Sequence, residues 1–242
     1  MLNKLSFEIA AGEKVGIVGR TAAGKSTITM ALTRIIELTS GKIEIDGVDI
    51  SKVHIKQLRK KITMIPQDPV IFTGSLRFNL DPFGTQTDEQ IEELVKELGL
   101  EQLLTRSATE IKHWTGKIRE VKNEGVGIYY RLSAGGENLS AGQKALICIG
   151  RAILENNKVV ILDEATASID VETEKRIQSL MHSHFKDATV ITIAHRLNTI
   201  ISSDKILVLA HGQLEEFDSP KNLMRNPDSR FTQLLNKLQK EG

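Results

Sequence analysis

Residues 19–27 read GRTAAGKST, and the reading of this stretch decides the fold. It fits the pattern G-x-x-x-x-G-K-[ST], in which glycines let the backbone wrap closely around a phosphate and the lysine supplies a positive charge. The pattern carries a mechanism only where a buried strand enters the loop and a helix leaves it. Both flanks meet that condition. Residues 14–19, KVGIVG, are a continuous apolar run of the kind shown by a parallel strand covered on both faces. Residues 25–36, KSTITMALTRII, carry apolar positions at helical spacing. A loop so placed aims backbone N–H groups at phosphate oxygens, Lys25 at the β and γ phosphates, and the Ser26 hydroxyl at Mg2+. The candidate nucleotide-binding residues are therefore Gly19, Arg20, Thr21, Ala22, Ala23, Gly24, Lys25, Ser26 and Thr27. The bland alternative is a glycine-rich turn with a solvated lysine.

Working outward, residues 4–9 (KLSFEI) alternate like a half-exposed strand, and residues 10–13 (AAGE) turn the chain. Residues 40–50 read as a hairpin turning at Asp46-Gly47, and 57–69 (QLRKKITMIPQDP) as a strand running into a proline-bounded loop. From Gln67 to Gly136 the chain turns to charged amphipathic helix, notably over 87–107, where Thr87 and Gln90 make a candidate capping box. This is an inserted helical subdomain. Beyond it come a helix at 141–154, a buried strand at 158–165, a helix at 171–185, a strand at 188–195 and a hairpin at 204–217. The last helix, 230–240, places Phe231, Leu234, Leu235 and Leu238 on one face, as core packing requires. Strands alternating with helices imply a mainly parallel sheet covered on both faces.

Composition is that of an ordinary globular domain: 242 residues, 40% hydrophobic and 26% charged, with a net charge of +1. So small a charge leaves no footprint for nucleic acid, so no nucleic-acid partner is expected and phosphate binding must be local. No apolar run reaches the roughly 18–20 residues that span a bilayer, and the first residues lack a signal-peptide core. No direct membrane insertion by this chain is expected. Cys148, the one cysteine, lies in an apolar run and reads as a buried, inert thiol in a reducing compartment.

Carboxylates appear where a phosphate-loop fold needs them. The strand VVILD ends in Asp163, suited to the Mg2+ shell, followed by Glu164, suited to polarise an attacking water. A DE pair after a strand can also be a solvated turn. His195 closes a further strand, and Gln67 follows another. Each is weak alone, yet four strand ends deliver the loop, the DE pair, a Gln and a His to the carboxyl edge where open α/β sheets bind ligands.

A second glycine turn, NLSAGQ at 138–143, then needs explaining, because one phosphate cradle suffices for one nucleotide. Ser140 and Gln143 can be a capping box and nothing more. A helix start is also an anion site, and Gly142 would let a phosphate come close. Its natural ligand would be a γ-phosphate held by a different subunit.

The set GRTAAGKST, IPQDP, LSAGQ, VVILDEAT, SIDVETE and TIAHRL, in this order, resembles the nucleotide-binding domain of ATP-binding cassette transporters over essentially the whole chain. Residues 66–83 (PQDPVIFTGSLRFNLDPF) and 135–143 (GGENLSAGQ) look most like the second such domain of the C subfamily, the multidrug-resistance-associated type. The resemblance implies an α/β fold: a P-loop NTPase (RecA-like) core with a mainly parallel sheet, an N-terminal antiparallel β subdomain and an inserted α-helical subdomain. It implies one domain over 1–242, with the core at about 1–66 and 144–242 and the helical subdomain at 67–143. The implied cofactors are ATP and Mg2+, with Ser26, Gln67 and Asp163 at the metal. Glu164, His195 and Gln67 would be catalytic, and Asp170 would communicate across a dimer. Leu139, Ser140, Ala141, Gly142 and Gln143 would complete the site of a partner, a second, homologous or identical nucleotide-binding domain. Transmembrane domains of the same transporter would be the other partners, at the cytoplasmic face of a membrane. ATP hydrolysis would then power export; gating of a channel or receptor of the same family is the alternative.

The pattern departs from the family at four points. Ala22 replaces a usual glycine, which costs about 1 kcal/mol if the position needs positive φ. The stretch before the phosphate loop holds no aromatic residue suited to stack on adenine. Lys144 and Ala145 replace the usual basic-Gln pair. The segment 110–132, with Trp114, Tyr129 and Tyr130, looks longer than the family's equivalent and reads as a small insertion rather than a binding surface.

Overall fold

The computed structural model describes residues 2–105, 111–112, 118–119, 127–163, 169–194 and 200–241. Strands are β1 (Lys14–Gly19), β2 (Glu44–Ile45), β3 (Val48–Asp49), β4 (Ile62–Ile65), β5 (Gly74–Ser75), β6 (Ile111–Lys112), β7 (Ile118–Arg119), β8 (Arg131–Leu132), β9 (Val159–Asp163), β10 (Thr189–Ile193), β11 (Lys205–Ala210) and β12 (Gln213–Asp218). Helices are α1 (Lys25–Leu32), α2 (Ile55–Arg59), α3 (Leu76–Leu80), α4 (Asp88–Glu97), α5 (Glu101–Leu104), α6 (Ala141–Glu155), α7 (Val171–His184), α8 (Pro220–Arg225) and α9 (Arg230–Glu241). They form two compact units. The first comprises Met1–Met64, Asn157–Glu164 and Phe185–Gly242; the second comprises Ile65–Asn156 and Ala165–His184.

The first unit is built on a six-stranded sheet of order β12-β11-β1-β10-β9-β4. β1 runs parallel to both β10 and β11, β10 runs parallel to β9, and β12 returns antiparallel to β11. The α/β fold with a mainly parallel sheet is as the sequence implies. Alternation along β1 sends Val15 and Ile17 to one face, with Ile28 of α1, Ile191 and Leu207. Val18 goes to the other face, with Val208, Leu223 of α8 and Phe231 and Leu235 of α9. Leu234 packs against that cluster as the helical spacing predicts; the side chain of Leu238 lies outside the described residues.

Local chemistry sets most element ends. Asp46 and Gly47 both take positive φ (50° and 74°), the two-residue turn that the Asp-Gly pair prescribes for the β2-β3 hairpin. Thr87 and Gln90 make the expected reciprocal capping box on α4, at 3.3 Å and 2.9 Å.

Two expectations are corrected. Residues 4–9 form no strand; their alternation instead reports side-chain docking. Leu5 and Ile9 pack on the core, and the ring of Phe7 lies 5.8 Å from that of Phe217. The first helix ends at Leu32 rather than 36, because Arg34 turns left-handed (φ 50°) and closes a Schellman end. The Ile35 N–H reaches the Met30 carbonyl at 2.8 Å and the Arg34 N–H reaches Ala31 at 3.1 Å. The Arg34 guanidinium offsets the strain by donating to the carbonyls of Ile50 and Val53 at 3.1 Å and 2.8 Å.

The second unit is helical, with two short antiparallel pairs, β5 with β8 and β6 with β7. α6 is its longest helix. Gly150 lets α6 pass so close to Leu80 and Leu98 that a Cβ there would lie 2.7 Å and 2.8 Å from their side chains. Cys148 is buried, and burial pushes its thiol pKa up, which suits an inert role.

Candidate functional site

In the first unit, β1 delivers the chain to the phosphate loop at the carboxyl edge of the sheet. Gly19 has no room for a side chain, since a Cβ would collide with the Leu209 carbonyl. Ala22 holds φ 64°, so the departure from glycine does carry the left-handed strain of about 1 kcal/mol. Gly24, at φ 106°, is the N-cap of α1 and brings no side chain to that helix start. The first N–H groups of α1 and the positive end of its dipole therefore face the loop.

Lys25 is 7% exposed, and its ammonium bends back into the loop, donating to the Gly19 carbonyl at 2.8 Å and the Arg20 carbonyl at 3.3 Å. Those two carbonyls hold the Lys25 amine at the concave side of the loop, where a phosphate would bind. Ser26 is exposed in the first turn of α1. Arg20 and Thr21 are exposed, Ala23 is buried, and Thr27 is half-buried, its N–H donating to Gly24 at 3.1 Å.

Asp163 ends β9 in register with Ile193, which pairs with Ile17 of β1. The half-buried Asp163 carboxylate and the loop after Gly19 thus share one sheet edge, two strands apart. A serine hydroxyl and a carboxylate are hard oxygen donors, the chemistry that Mg2+ takes. Among the described residues no group of three or more His, Cys, Asp or Glu could hold a metal by itself. Glu164 and His195 lie outside the described residues.

Gln67, Leu139–Gln143 and Asp170 belong to the second unit. Gln67 is exposed in the loop after β4. Ser140 caps α6: its hydroxyl accepts the Gln143 N–H at 3.2 Å, and the Gln143 amide oxygen accepts the Ser140 N–H at 3.0 Å. Ser140 and Ala141 are exposed, Gln143 is half-buried, and Leu139 and Gly142 are buried. Gly142 has a packing reason that the sequence does not show. A Cβ there would lie 3.0 Å from Thr173 Cγ2 in the first turn of α7. Asp170 caps α7 in turn, its carboxylate accepting the Thr173 N–H at 2.9 Å. Backbone and side-chain hydrogen bonds from Thr173 hold the Asp170 carboxyl below the usual carboxylate range.

Sequence reading also passed over Arg151. A charge among the buried Ile149, Gly150 and Ala152 of α6 is the signal that could have found it.

Of the segment 110–132, Tyr129 and Tyr130 are described and Trp114 is not. Tyr129 is half exposed and donates to Asp88 at 2.5 Å, while Tyr130 is buried. No helix among the described residues is long and apolar enough to cross a membrane.

Comparison with known proteins bears on all of this. Residues 2–167 match the family model described as ABC transporter. The chain is 45% identical over 235 residues to the multidrug resistance protein mrp-7 of Caenorhabditis elegans, covering 97% of this chain and 14% of that protein. It is 44% identical over 231 residues to ATP-binding cassette sub-family C member 2 of Rattus norvegicus, covering 96% and 14%. It is 45% identical over 233 residues to the vacuolar heme ABC transmembrane exporter abc3 of Schizosaccharomyces pombe, covering 96% and 15%. A solved bacterial Atm1-family ABC exporter with ATP bound superposes with a TM-score of 0.81 at 33% identity, covering 98% of this chain and 39% of that one. The chain thus spans about one seventh of the curated relatives it matches.

Proposed function

The chain belongs to the ABC transporter family, whose nucleotide-binding domains are ATPases coupled to transport, and on that premise we propose how its residues divide the work. It is one nucleotide-binding domain, with the helical subdomain at 67–143, that meets a second, homologous or identical domain head to tail. Two ATP molecules lie between them, each held by the phosphate loop of one domain and the Ser140 turn of the other.

Within that arrangement the backbone of Gly19–Thr27 and Lys25 bind and orient the triphosphate. Ser26, Asp163 and Gln67 would hold Mg2+, which supplies charge neutralisation on the β and γ oxygens. Glu164 takes the proton of the attacking water, Gln67 orients that water, and His195 steadies the γ-phosphate as charge builds on its oxygens. Ala141 and Gly142 present the free N–H groups of α6 to the partner's γ-phosphate, with Leu139 anchoring the turn and the reciprocal bonds of Ser140 and Gln143 fixing it. Asp170, at the start of α7, answers the nucleotide state of the other domain. Alternation between the closed and open sandwich drives transmembrane domains at the cytoplasmic face of a membrane to export a substrate.

The observation that carries this reading is the exposure of Ser140 and Ala141 at the start of a fifteen-residue helix, capped but uncovered. The test is Glu164→Gln. Turnover should fall by roughly 100-fold or more, while saturating ATP should convert the variant to a dimer in sedimentation. Undiminished turnover, or a monomer at saturating ATP, would refute it.

A further inference from the structure

Three consecutive residues of the loop beyond Gln67 are held by α6, by α3 and by the turn that precedes α6. Val70 offers its carbonyl to Arg151 Nη1 at 2.7 Å. Ile71 is buried against Gly136, so tightly that a Cβ on that glycine would lie 3.0 Å from Ile71 Cγ1. Phe72 is clasped at its backbone by Asn79, whose side chain accepts the Phe72 N–H at 2.9 Å and donates to its carbonyl at 2.8 Å. The Phe72 ring lies under the Arg151 guanidinium, 5.2 Å from its centroid.

Arg151 closes the set. Its Nη2 donates to Asn79 Oδ1 at 2.9 Å and its Nε to the Asn79 carbonyl. Asn79 is fully buried and spends its remaining donor on the Ser75 carbonyl at 3.1 Å. A partly buried charge satisfied at three oxygens and one ring is costly to break, because each group released inside the fold loses its partner. Mere packing of α6 needs no charge at this position, since its neighbours Ile149 and Ala152 are apolar and buried.

We propose that Arg151 and Asn79 are positioning residues that latch 70–72 to α6, so that the loop carrying Gln67 and the turn carrying Ser140 move as one body. A push on the half-exposed side chains of Val70 or Phe72 is then delivered to the Ser140 turn as a displacement rather than absorbed by the loop. The functional consequence rests on the roles proposed above for Gln67 and Ser140; the mechanical latch does not.

The test uses the full chain with spin labels at the exposed positions Asp68 and Glu137, compared with Arg151→Met and Arg151→Lys. The distance distribution should be narrow in the parent, broad in R151M and intermediate in R151K, whose ammonium retains only part of the oxygen set. ATP turnover should fall about tenfold in R151M with KM for ATP within twofold, and recover in part in R151K. A narrow distribution in R151M overturns the latch. A broad distribution with undiminished turnover overturns its role in the reaction. Should R151M fail to fold, R151K decides the latch by the same distance measurement. Gln67→Ala and Ser140→Arg, measured in the parent, separate failure of the underlying reading: normal turnover in both sinks that reading while leaving the distance result standing.

Discussion

Gly142 lies against Thr173, so closely that a Cβ on the glycine would sit 3.0 Å from Cγ2 and 3.1 Å from Oγ1 of the threonine. The start of α6 therefore touches the first turn of α7 at a point where a hydrogen atom fits and a methyl group needs its neighbour to yield. Both helix starts are capped locally, by Ser140 and by Asp170. Any change at the contact thus moves the turn rather than unravelling it.

Gly142→Ala tests this contact. Alanine improves helix propensity by at most about 1 kcal/mol, which offsets much of the clash, so the melting temperature should change little. Turnover should nonetheless fall, because the exposed N–H groups of the turn shift. Thr173→Ser in the same chain removes Cγ2 and should restore activity. Failure of the double variant to recover would show that the glycine serves something other than helix contact.

Ala22 offers the opposite case, a strain present in the chain and removable. Left-handed alanine costs about 1–2 kcal/mol, while glycine adds about 0.5–1 kcal/mol of unfolded-state entropy. Ala22→Gly should therefore stabilise by up to about 1.5 kcal/mol, a rise in Tm of at most about 3–6 °C for a chain of this size. Ala22→Val, β-branched at the same φ, should lower Tm instead. A drop with glycine would contradict the assignment.

Asp81 makes stability depend on acid. Burial pushes its carboxyl pKa up, but hydrogen bonds from Gln86 and Thr85 and the charge of Arg77 outweigh that and leave it depressed. A depressed carboxyl stabilises the fold above its unfolded pKa, near 3.9, and loses that contribution as pH falls through the lower folded value. Asp81→Asn should thus destabilise at neutral pH and converge with the parent once the pH has fallen through the depressed folded value. An equal deficit at both pH values would assign Asp81 a purely steric role.

What the sequence made legible is what local chemistry decides. The phosphate loop, the Asp46-Gly47 hairpin and the two capping boxes each close within three or four residues, so their residue types suffice. Arg34 hid the end of α1 because an arginine seldom takes left-handed φ, and here carbonyls sixteen and nineteen residues away make it tolerable. The alternation at 4–9 was real, but periodicity reports which side chains are buried and says nothing about whether a ladder partner exists. Gly142 and Arg151 were visible as letters without reasons. Thr173, Val70 and Asn79, the residues that explain them, are brought near only by tertiary packing.

The most direct test of the shared ATP site is a mixing experiment between two damaged chains. Lys25→Ala removes the phosphate-loop charge, and Ser140→Arg blocks the second turn, so each variant alone should be inactive. Mixed in equal amounts, half the dimers are heterodimers with one intact composite site, and roughly a quarter of the parent's turnover should return. No recovery, with heterodimers demonstrably formed, would mean that Lys25 and Ser140 serve the same nucleotide from within one chain and would contradict the account.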